Sequence, residues 1–387
     1  MHDLIFVSME DWDEIWRRNQ FLASKFAQRF PENRILFVGL TRDFSHDLRT
    51  GKIFKQRQRA SFVPDFPNIL LTNPPKLLPN SIPLCRLFND WMFRSHVRRA
   101  SRRLGLNAPI LWLNPHSAVH MVGRMDERAV IYDVTDDWTH FQQKKAVTCL
   151  TREQDRDLAA RADTVIVCSH ALLETRREYS KRIELIPNGV DVEHYSSVTE
   201  RPHDGRWKTP VFGYTGSVHP QRVDVELVCA LAQAFPYGSV VLVGPNMLDQ
   251  AAHARLADLS NVHLVGAIPY AQIPDTMTQF DVCIVPHVES AFTESLNPIK
   301  LWEYLASGKP IVSTNVAGFR DYPQHVEIAS GDEFVRACER VLEAAKDEAK
   351  ASQKCEARRH EASGHSWESR LDDVLKVVRA ISERNEP

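Results

Sequence analysis

Short apolar runs alternate with helical patterns along this chain. Runs such as 4–9, 34–38 and 110–114 are almost continuously apolar, which is typical of buried strands in a parallel sheet. Between them lie stretches such as 16–30 and 89–104, where apolar positions recur every three or four residues. Strands that alternate with helices predict an α/β fold with parallel sheets.

The alternation stops at one polar segment and then begins again. Residues 196–208 are polar, and apolar runs resume after Pro210. A chain of 387 residues also exceeds one comfortable hydrophobic core. We therefore predict four parts: a Rossmann-like domain over 1–200, a linker over 201–209, a second Rossmann-like domain over 210–365, and a terminal helix over 366–387.

Composition excludes several classes of protein. Hydrophobic residues make up 43% and charged residues 25%, as in ordinary globular proteins. No apolar run approaches the roughly 18 residues that cross a bilayer, and residues 1–9 lack the basic start of a signal peptide. The seven cysteines are scattered without a C-x-x-C pair, which predicts reduced thiols in the cytoplasm. The basic patches are short and no recognition helix is evident, so we expect no nucleic-acid partner.

Basic residues cluster in two places, although the net charge is only −2. One cluster lies within 49–59, and the other within 86–103, where arginines alternate with apolar and aromatic residues. At helical spacing the second cluster has two interpretations. It forms a basic face for an anionic membrane, or it packs its aromatic side on the first sheet. In the membrane interpretation the surface arginines are Arg94, Arg98, Arg99, Arg102 and Arg103.

The segment 297–312 carries the strongest chemical signal. It predicts a loop, a short helix, a glycine stop and a buried strand. Lys300 near the helix start can meet a diphosphate, and the helix dipole acts in the same direction. Glu303 can accept hydrogen bonds from a sugar diol. The alternative is a solvated Lys–Glu pair on an ordinary helix, but the sixteen-residue context favours ligand binding.

Several segments together resemble a known family. They are 162–169, 186–191, 213–217, 241–245, 261–266 and 281–286, followed by 297–312. Their order and spacing resemble those of GT-B glycosyltransferases of the family 4 type. Residues 16–20 and 132–138 narrow the resemblance to bacterial transferases of the teichuronic-acid and exopolysaccharide type, and more distantly to the xanthan glucuronosyltransferase family. The resemblance implies two Rossmann-like domains facing across a cleft, with the terminal helix crossing back to the first.

The resemblance also implies which residues bind the donor. The first domain would bind the acceptor and the second a nucleotide-diphosphate sugar, most often a UDP- or GDP-sugar. Donor contacts would come from Lys300, Glu303, Gly216, Ser217, Glu294, Ser295 and Asn297. The E-x7-E pattern of many relatives is incomplete, because Ser295 stands eight residues before Glu303 and Glu294 is one place off. We expect no metal and no further cofactor, since the D-x-D string at 11–13 reads better as an acidic helix start.

Two aspartates are the candidates for catalysis. Asp136 and Asp137 follow the buried run 129–134 and so leave the carboxyl end of a strand. Adjacent carboxylates raise one another's pKa, which suits a general base. The resemblance assigns that role to Asp136, which implies inversion of the anomeric centre. The alternative is that one of the pair caps a helix over 138–146. His116 and His120 are candidates for acceptor binding.

The sequence therefore predicts a glycosyltransferase of cell-surface or exported polysaccharide synthesis. Its acceptor would be a glycan or a lipid-linked glycan, and its place the cytoplasm or the inner face of the plasma membrane. Two alternatives stay open. A nucleotide-sugar 2-epimerase would use the same 297–312 segment but needs no acceptor, and a non-catalytic sugar-binding protein would have no use for Asp136.

Overall fold

The computed structural model describes residues 2–44, 60–140, 144–196, 198 and 202–384. The basic cluster within 49–59 lies outside these residues. The chain divides into two compact units: residues 1–187 with 370–387, and residues 188–369. The first unit thus includes most of the terminal helix, as the GT-B resemblance implies. The two units are described separately below.

An eight-stranded sheet forms the centre of the first unit, in the order β10-β9-β8-β7-β1-β2-β5-β4. All its described pairings are parallel except the one between β4 and β5. A separate short pair joins β3 and β6. The strands are β1 Leu4–Val7, β2 Ile35–Val38, β3 Arg42–Asp43, β4 Ser61–Val63, β5 Phe66–Thr72, β6 Pro75–Lys76, β7 Ile110–Leu113, β8 Ala129–Val134, β9 Thr164–Val167 and β10 Ile183–Leu185.

Helices of the first unit cover this sheet. They are α1 Arg18–Arg29, α2 Pro83–Leu104, α3 Lys145–Arg161 and α4 His170–Arg176, with short 3-10 helices at His116–Met121 and Arg177–Tyr179. The buried core joins alternate residues of β1, β2, β7, β8 and β9 to Val97 of α2 and Leu158 of α3. The sequence order reverses at β1, which lies between β2 and β7. Such a switch point opens a crevice at the carboxyl ends of the strands.

The second unit has a six-stranded parallel sheet in the order β13-β12-β11-β14-β15-β16. Its switch point is β11, which lies between β12 and β14. The strands are β11 Val211–Thr215, β12 Ser239–Val243, β13 Val262–Gly266, β14 Val282–Val285, β15 Ile311–Ser313 and β16 Val326–Ile328.

Both faces of the second sheet pack into apolar clusters. The helices are α5 Val192–Ser196, α6 Val225–Ala234, α7 Gln250–Ala257, α8 Ile273–Thr278, α9 Ile299–Ser307, α10 Asp332–Ala345 and α11 Glu348–Ser363, and α12 Trp367–Arg384 begins here. Leu301, Tyr304 and Leu305 of α9 are buried. The helix over 299–307 that the sequence predicts is therefore confirmed, with its apolar residues facing the core.

Two predicted helices differ from the observed ones. The spacing of apolar residues over 332–349 predicts one helix, but the observed helix α10 ends at Ala345 and α11 begins at Glu348. Helix α2 begins at Pro83, six residues before the predicted start. Those six residues were missed because they do not show the one-sided pattern of a buried helix. Leu84 and Leu87 are 78% and 60% exposed.

Candidate functional site

The carboxyl end of β11 forms a glycine-lined turn. Gly216 has φ 138° and Gly244, at the end of the neighbouring strand β12, has φ 147°. A Cβ on Gly244 would collide with the carbonyl of Gly216, and a Cβ on Gly216 would collide with the ammonium of Lys300. Both positions therefore require glycine. The turn brings backbone close to the lysine and leaves no side chain between them.

Lys300 is held over the ring of Tyr214. Its Nζ lies 4.9 Å from the ring centroid and 3.4 Å from the hydroxyl oxygen. The same hydroxyl lies 3.2 Å from Nε2 of His287 and 3.2 Å from the carbonyl of Ser217. Burial, with the charges of Lys300 and Arg222, holds the pKa of His287 well below its usual value. A neutral imidazole thus lies behind the tyrosine, and the cation is aimed at the glycine turn.

Glu303 lies one turn further along α9. The residue is partly exposed, yet burial raises the pKa of its carboxyl, against the opposing effects of Tyr195 and Lys300. The Glu303 charge in turn raises the pKa of Tyr195 and Tyr270, after the larger effect of burial. A carboxylate flanked by two phenols can accept hydrogen bonds from a diol. The burial of Glu303 and the ring contact of Lys300 disfavour the solvated pair of the alternative interpretation, and the contacts of both residues with a ligand stay predictions.

Helix α11 fixes the far end of α9. Arg358 donates to the carbonyl of Gly308 over 3.2 Å, and Arg359 donates to that of Ser307 over 3.3 Å. Arginine at the carboxyl end of a helix satisfies its terminal carbonyls and offsets its dipole. Gly308, with φ 76°, ends the helix in the left-handed conformation. The position of Lys300 thus depends on the charged stretch near the end of the chain.

Three of the predicted donor-binding residues, all in the loop before α9, form hydrogen bonds within the protein. Glu294 accepts from Arg320 over 3.0 Å. The buried Ser295 hydroxyl donates to the carbonyl of Phe292 over 2.8 Å. Asn297 Oδ1 accepts from the backbone N–H of Asn188 over 2.8 Å. Their predicted donor contacts stay predictions, and the observed bonds hold the loop in front of the helix.

In the first unit, polar side chains tie together the ends of β1, β7 and β8. Nδ2 of Asn19 donates to Ser8 and to Asn114, each over 2.9 Å. Asn114 donates in turn to the carbonyl of Asp133 over 2.8 Å. The buried Arg18 pairs with both carboxylate oxygens of Asp133, at 3.1 and 3.0 Å. The first turn of α1 is thereby fixed to the strand that leads to Asp136 and Asp137.

The two neighbouring aspartates have different environments. The expectation that Asp137 has a raised pKa was wrong. Asp137 accepts from both terminal nitrogens of Arg176, at 3.1 and 3.0 Å, and from Thr139 and His140. Burial alone raises the pKa of Asp137, but the bonds and charge of Arg176 outweigh it and hold that pKa below its usual range. A paired carboxylate of this kind is a poor general base. Asp136 is half-buried and remains the candidate.

The predicted helix over 138–146 is also corrected. Residues 138–140 form a turn, residues 141–143 lie outside the described part of the chain, and α3 begins at Lys145. Asp137 accepts from the backbone N–H of Thr139 over 3.1 Å, so it closes the turn and does not cap that helix.

The two candidate histidines lie in the short 3-10 helix after β7. Burial, with an opposing effect of Asp155 and a further effect of Arg176, lowers the pKa of His116. His120 lies 3.6 Å from Asp90 and packs edge-on against Phe93 at 5.6 Å. Burial lowers the pKa of His120 to about 3. Both imidazoles are neutral near pH 7, and acceptor binding by either stays a prediction.

Helix α2 exposes a face that changes character along its length. Leu84, Leu87, Phe88 and Trp91 are 78%, 60%, 42% and 54% exposed and recur at spacings of three and four residues. The same face continues through Arg98 and Arg102. Of the five predicted membrane-facing arginines, Arg99, Arg102 and Arg103 are exposed, and Arg94 and Arg98 are half-buried. The interpretation that the aromatic side packs on the sheet is wrong for Phe88 and Trp91; Phe93 alone of the three packs against the core cluster.

The described residues contain neither a metal-binding cluster nor a membrane-spanning helix. No group of three or more His, Cys, Asp or Glu side chains within them is arranged to hold a metal ion. No helix among them is long and apolar enough to cross a membrane.

Known proteins share this fold and its second domain. Residues 209–344 match the family model of glycosyl transferases group 1. The structure matches the glycosyltransferase HepE of Anabaena in complex with UDP-glucose, with a TM-score of 0.68 and 14% identity over 98% of this chain and 100% of that one. A glycosyltransferase of Rickettsia africae matches with a TM-score of 0.66 and 12% identity, over 98% of each chain. The structural matches show the GT-B fold, and the family match places residues 209–344 with the glycosyl transferases group 1.

A protein from Bacillus subtilis is related to this chain by sequence. The chain is 27% identical over 275 residues to the "Putative teichuronic acid biosynthesis glycosyltransferase TuaH". The match covers 64% of this chain and 66% of that protein, just under two thirds of its length. The resemblance to teichuronic-acid-type transferases is thus confirmed.

Sequence reasoning missed the residues that position the donor candidates. Tyr214 stands in the 213–217 segment and its spacing gave no sign that it would support Lys300, 86 residues later. Arg176 likewise lies 39 residues after Asp137. A polar residue in an otherwise apolar strand was the available signal for Tyr214. For Arg176 the sequence offers none.

Proposed function

We propose that this protein transfers a sugar from a nucleotide-diphosphate sugar, UDP-sugar first among the candidates, to a lipid-linked glycan at an anionic membrane surface. The observation that carries the proposal is the ammonium of Lys300, held by Tyr214 over the glycine turn at the end of β11. HepE, which has the same fold, is known in complex with UDP and with UDP-glucose. Its UDP complexes support UDP as the first nucleotide to test.

The second unit would bind the donor. Lys300 and the first amides of α9 would stabilise the leaving diphosphate without a metal. Glu303 would accept hydrogen bonds from the ribose hydroxyls. Negative charge on the leaving diphosphate would develop beside the fixed ammonium of Lys300. Stabilising that charge in the transition state would accelerate transfer.

The first unit would bind and activate the acceptor. Asp136 would remove the proton of the attacking hydroxyl, which gives in-line displacement and inversion at the anomeric carbon. Asp137 would not share that role. Its bonds to Arg176 fix the turn from which Asp136 projects, so Asp137 is a positioning residue.

Helix α2 would place the enzyme on a membrane. Its first turns expose Leu84, Leu87, Phe88 and Trp91, and its last turns expose Arg99, Arg102 and Arg103. About 22 Å separates Leu84 from Arg99 at 1.5 Å per residue. A tilted helix of this kind would dip its apolar end below the headgroups and keep its arginines on anionic phosphates. This arrangement supports a lipid-linked acceptor at the cytoplasmic face.

A donor panel tests the proposal. The purified chain is incubated with UDP-, GDP-, ADP- and dTDP-sugars, with and without bacterial lipid extract, and release of nucleoside diphosphate is followed. NMR gives the anomeric configuration of the product. We expect Asp136→Asn to slow transfer roughly 100- to 10,000-fold and Lys300→Ala roughly 100- to 1,000-fold.

Exposed residues provide matched controls. Lys346→Ala and Asp157→Asn remove side chains that are 72% and 51% exposed, and both should leave turnover unchanged. Interconversion of the sugar without an acceptor would instead identify a 2-epimerase. A product of retained configuration would remove Asp136 from the role of base.

A further inference from the structure

A cavity of about 300 Å³ lies within the first unit, apart from Asp136 and from the two candidate histidines. It opens where β1, β2 and β5, three neighbouring parallel strands, end. We call it the Trp12 cavity. Its lining residues are Asp11, Trp12, Asp13, Phe37, Gly39, Ser61, Leu71, Thr72 and Asn73. The carboxyl ends of parallel strands are where ligands of α/β sheets bind.

One wall of the cavity consists of fixed polar groups. Oδ1 of Asp11 accepts from the backbone N–H of Leu40 over 2.9 Å and from Nδ2 of Asn73 over 2.6 Å. Nδ2 of Asn73 also donates to the carbonyl of Leu40 over 2.9 Å. Gly39 leaves room for this group, since a Cβ there would press on the side-chain ends of Asp11 and Asn73. Within the described residues, all hydrogen bonds of Asp11 go to Oδ1, so Oδ2 is left for a ligand.

Another part of the lining is aromatic. The partly exposed indole of Trp12 meets Phe37 edge-on at 5.1 Å and 89°, and contacts Trp16 and Phe66 at 6.1 Å each. These rings hold the indole in one orientation. Leu71 adds a further apolar surface to the lining. The cavity lining thus combines a rigid apolar surface with fixed oxygen atoms.

The charges of the lining select the kind of ligand. Two of its residues are aspartates, and none of the described lining residues is lysine or arginine. Asp13 is paired with Arg17 at 3.1 Å. A diphosphate brought against Asp11 would be repelled. A pyranose ring fits, because it has hydroxyl donors on its edge and C–H groups on its face. The volume is at the small end of the roughly 300–1,000 Å³ of ligand pockets, so it suits one sugar ring.

We propose that the Trp12 cavity binds a neutral sugar residue of the acceptor glycan, with Asp11 and Asn73 on its hydroxyls and Trp12 against its face. The inference rests on the proposed transferase function. It assigns acceptor recognition to the loop after β1 and to the end of β5, away from His116 and His120. The segment 10–13, which follows β1, then has a function in specificity.

Asp11→Asn and Trp12→Leu test the site in the full-length protein. Asparagine keeps Oδ1 as the acceptor for Leu40 and Asn73 and replaces only the oxygen that faces the cavity. Asp65→Asn is the matched control, because Asp65 is an exposed carboxylate of the same unit outside the lining. The probes are methyl glycosides of glucose, galactose, mannose and N-acetylglucosamine, observed by saturation-transfer NMR. The acceptor KM is measured in the lipid-extract assay, and unfolding in urea reports on the stability of the variants.

We expect at least one methyl glycoside to receive saturation in the wild-type protein and in Asp65→Asn. Asp11→Asn and Trp12→Leu should lose that signal and raise the acceptor KM about 10- to 100-fold, the effect of losing a hydrogen bond to a charged group. Unchanged acceptor KM in both variants, or no saturation of any glycoside in the wild type, would overturn the proposal. If no nucleotide sugar is turned over but glycoside binding depends on Asp11, the sugar site stands and the transferase function fails.

Discussion

The exposed apolar residues of α2 allow the free energy of membrane binding to be estimated. Trp91 is 54% exposed. A tryptophan side chain buries up to about 250 Å², so membrane insertion would remove roughly 135 Å² from water. At about 25 cal/mol per Å² this amounts to roughly 3 kcal/mol. Trp91→Ser should therefore lower partitioning into vesicles about 100- to 300-fold.

The assay is sedimentation with sucrose-loaded vesicles containing about one third anionic lipid. Tyr237→Ser is the matched control, because Tyr237 is an exposed aromatic residue of the other unit, with 85% exposure. It should partition like the wild type. Raising the salt concentration should weaken binding further, since each arginine near an anionic surface contributes about 1 kcal/mol that salt screens. Wild-type binding by Trp91→Ser, or equal binding to uncharged vesicles, would refute the reasoning.

Three further predictions concern single side chains. Tyr214→Phe should weaken UDP binding about threefold to tenfold in calorimetry and leave uridine binding unchanged, because in the proposed complex Lys300 binds the diphosphate and not the nucleoside. Equal losses would contradict this. Asp137→Asn should lower the free energy of unfolding in urea by about 3 kcal/mol, since Arg176 stays buried without its main partner; a loss below about 1 kcal/mol would contradict it. Burial and nearby arginines lower the pKa of His120 to about 3, whereas the unfolded side chain takes its proton near about 6.5. The contribution of His120 to wild-type stability should thus be lost as the pH drops from about 6.5 towards 3, by at most about 2 kcal/mol at pH 5. The pH dependence of His120→Gln should be shallower by that amount, since His116 and His287 keep their own contributions.

Local sequence was sufficient for most of the α/β framework. The runs 129–134 and 239–243 are strands with the predicted bounds, and α9 matches its predicted residues. These elements are apolar on the sides that the sheets bury, so hydrophobic spacing and fold agree. The same rule missed the start of α2. Its first turns expose leucine and phenylalanine, and such a surface can only be recognised once the core is known.

The candidate donor-binding residues could be predicted from the sequence, but the residues that hold them in position could not. Lys300 and Glu303 were identified from one segment because a helix start and its spacing are local properties. The orientation of Lys300 depends on Tyr214, which lies on β11, and on His287, which follows β14. Such partners are brought together by the order of strands in the sheet, which hydrophobic spacing does not specify.

The aspartate pair shows why adjacency in sequence is weak evidence for a pKa. Neighbouring residues at the end of a strand project in different directions, so each carboxylate responds to its own surroundings. At Asp137 those surroundings are a buried guanidinium, which neutralises the charge that was expected to act on Asp136. The case for Asp136 as the base therefore rests on its position after β8 and on the fixed turn beneath it. Neither of these two arguments requires Asp136 and Asp137 to share a proton.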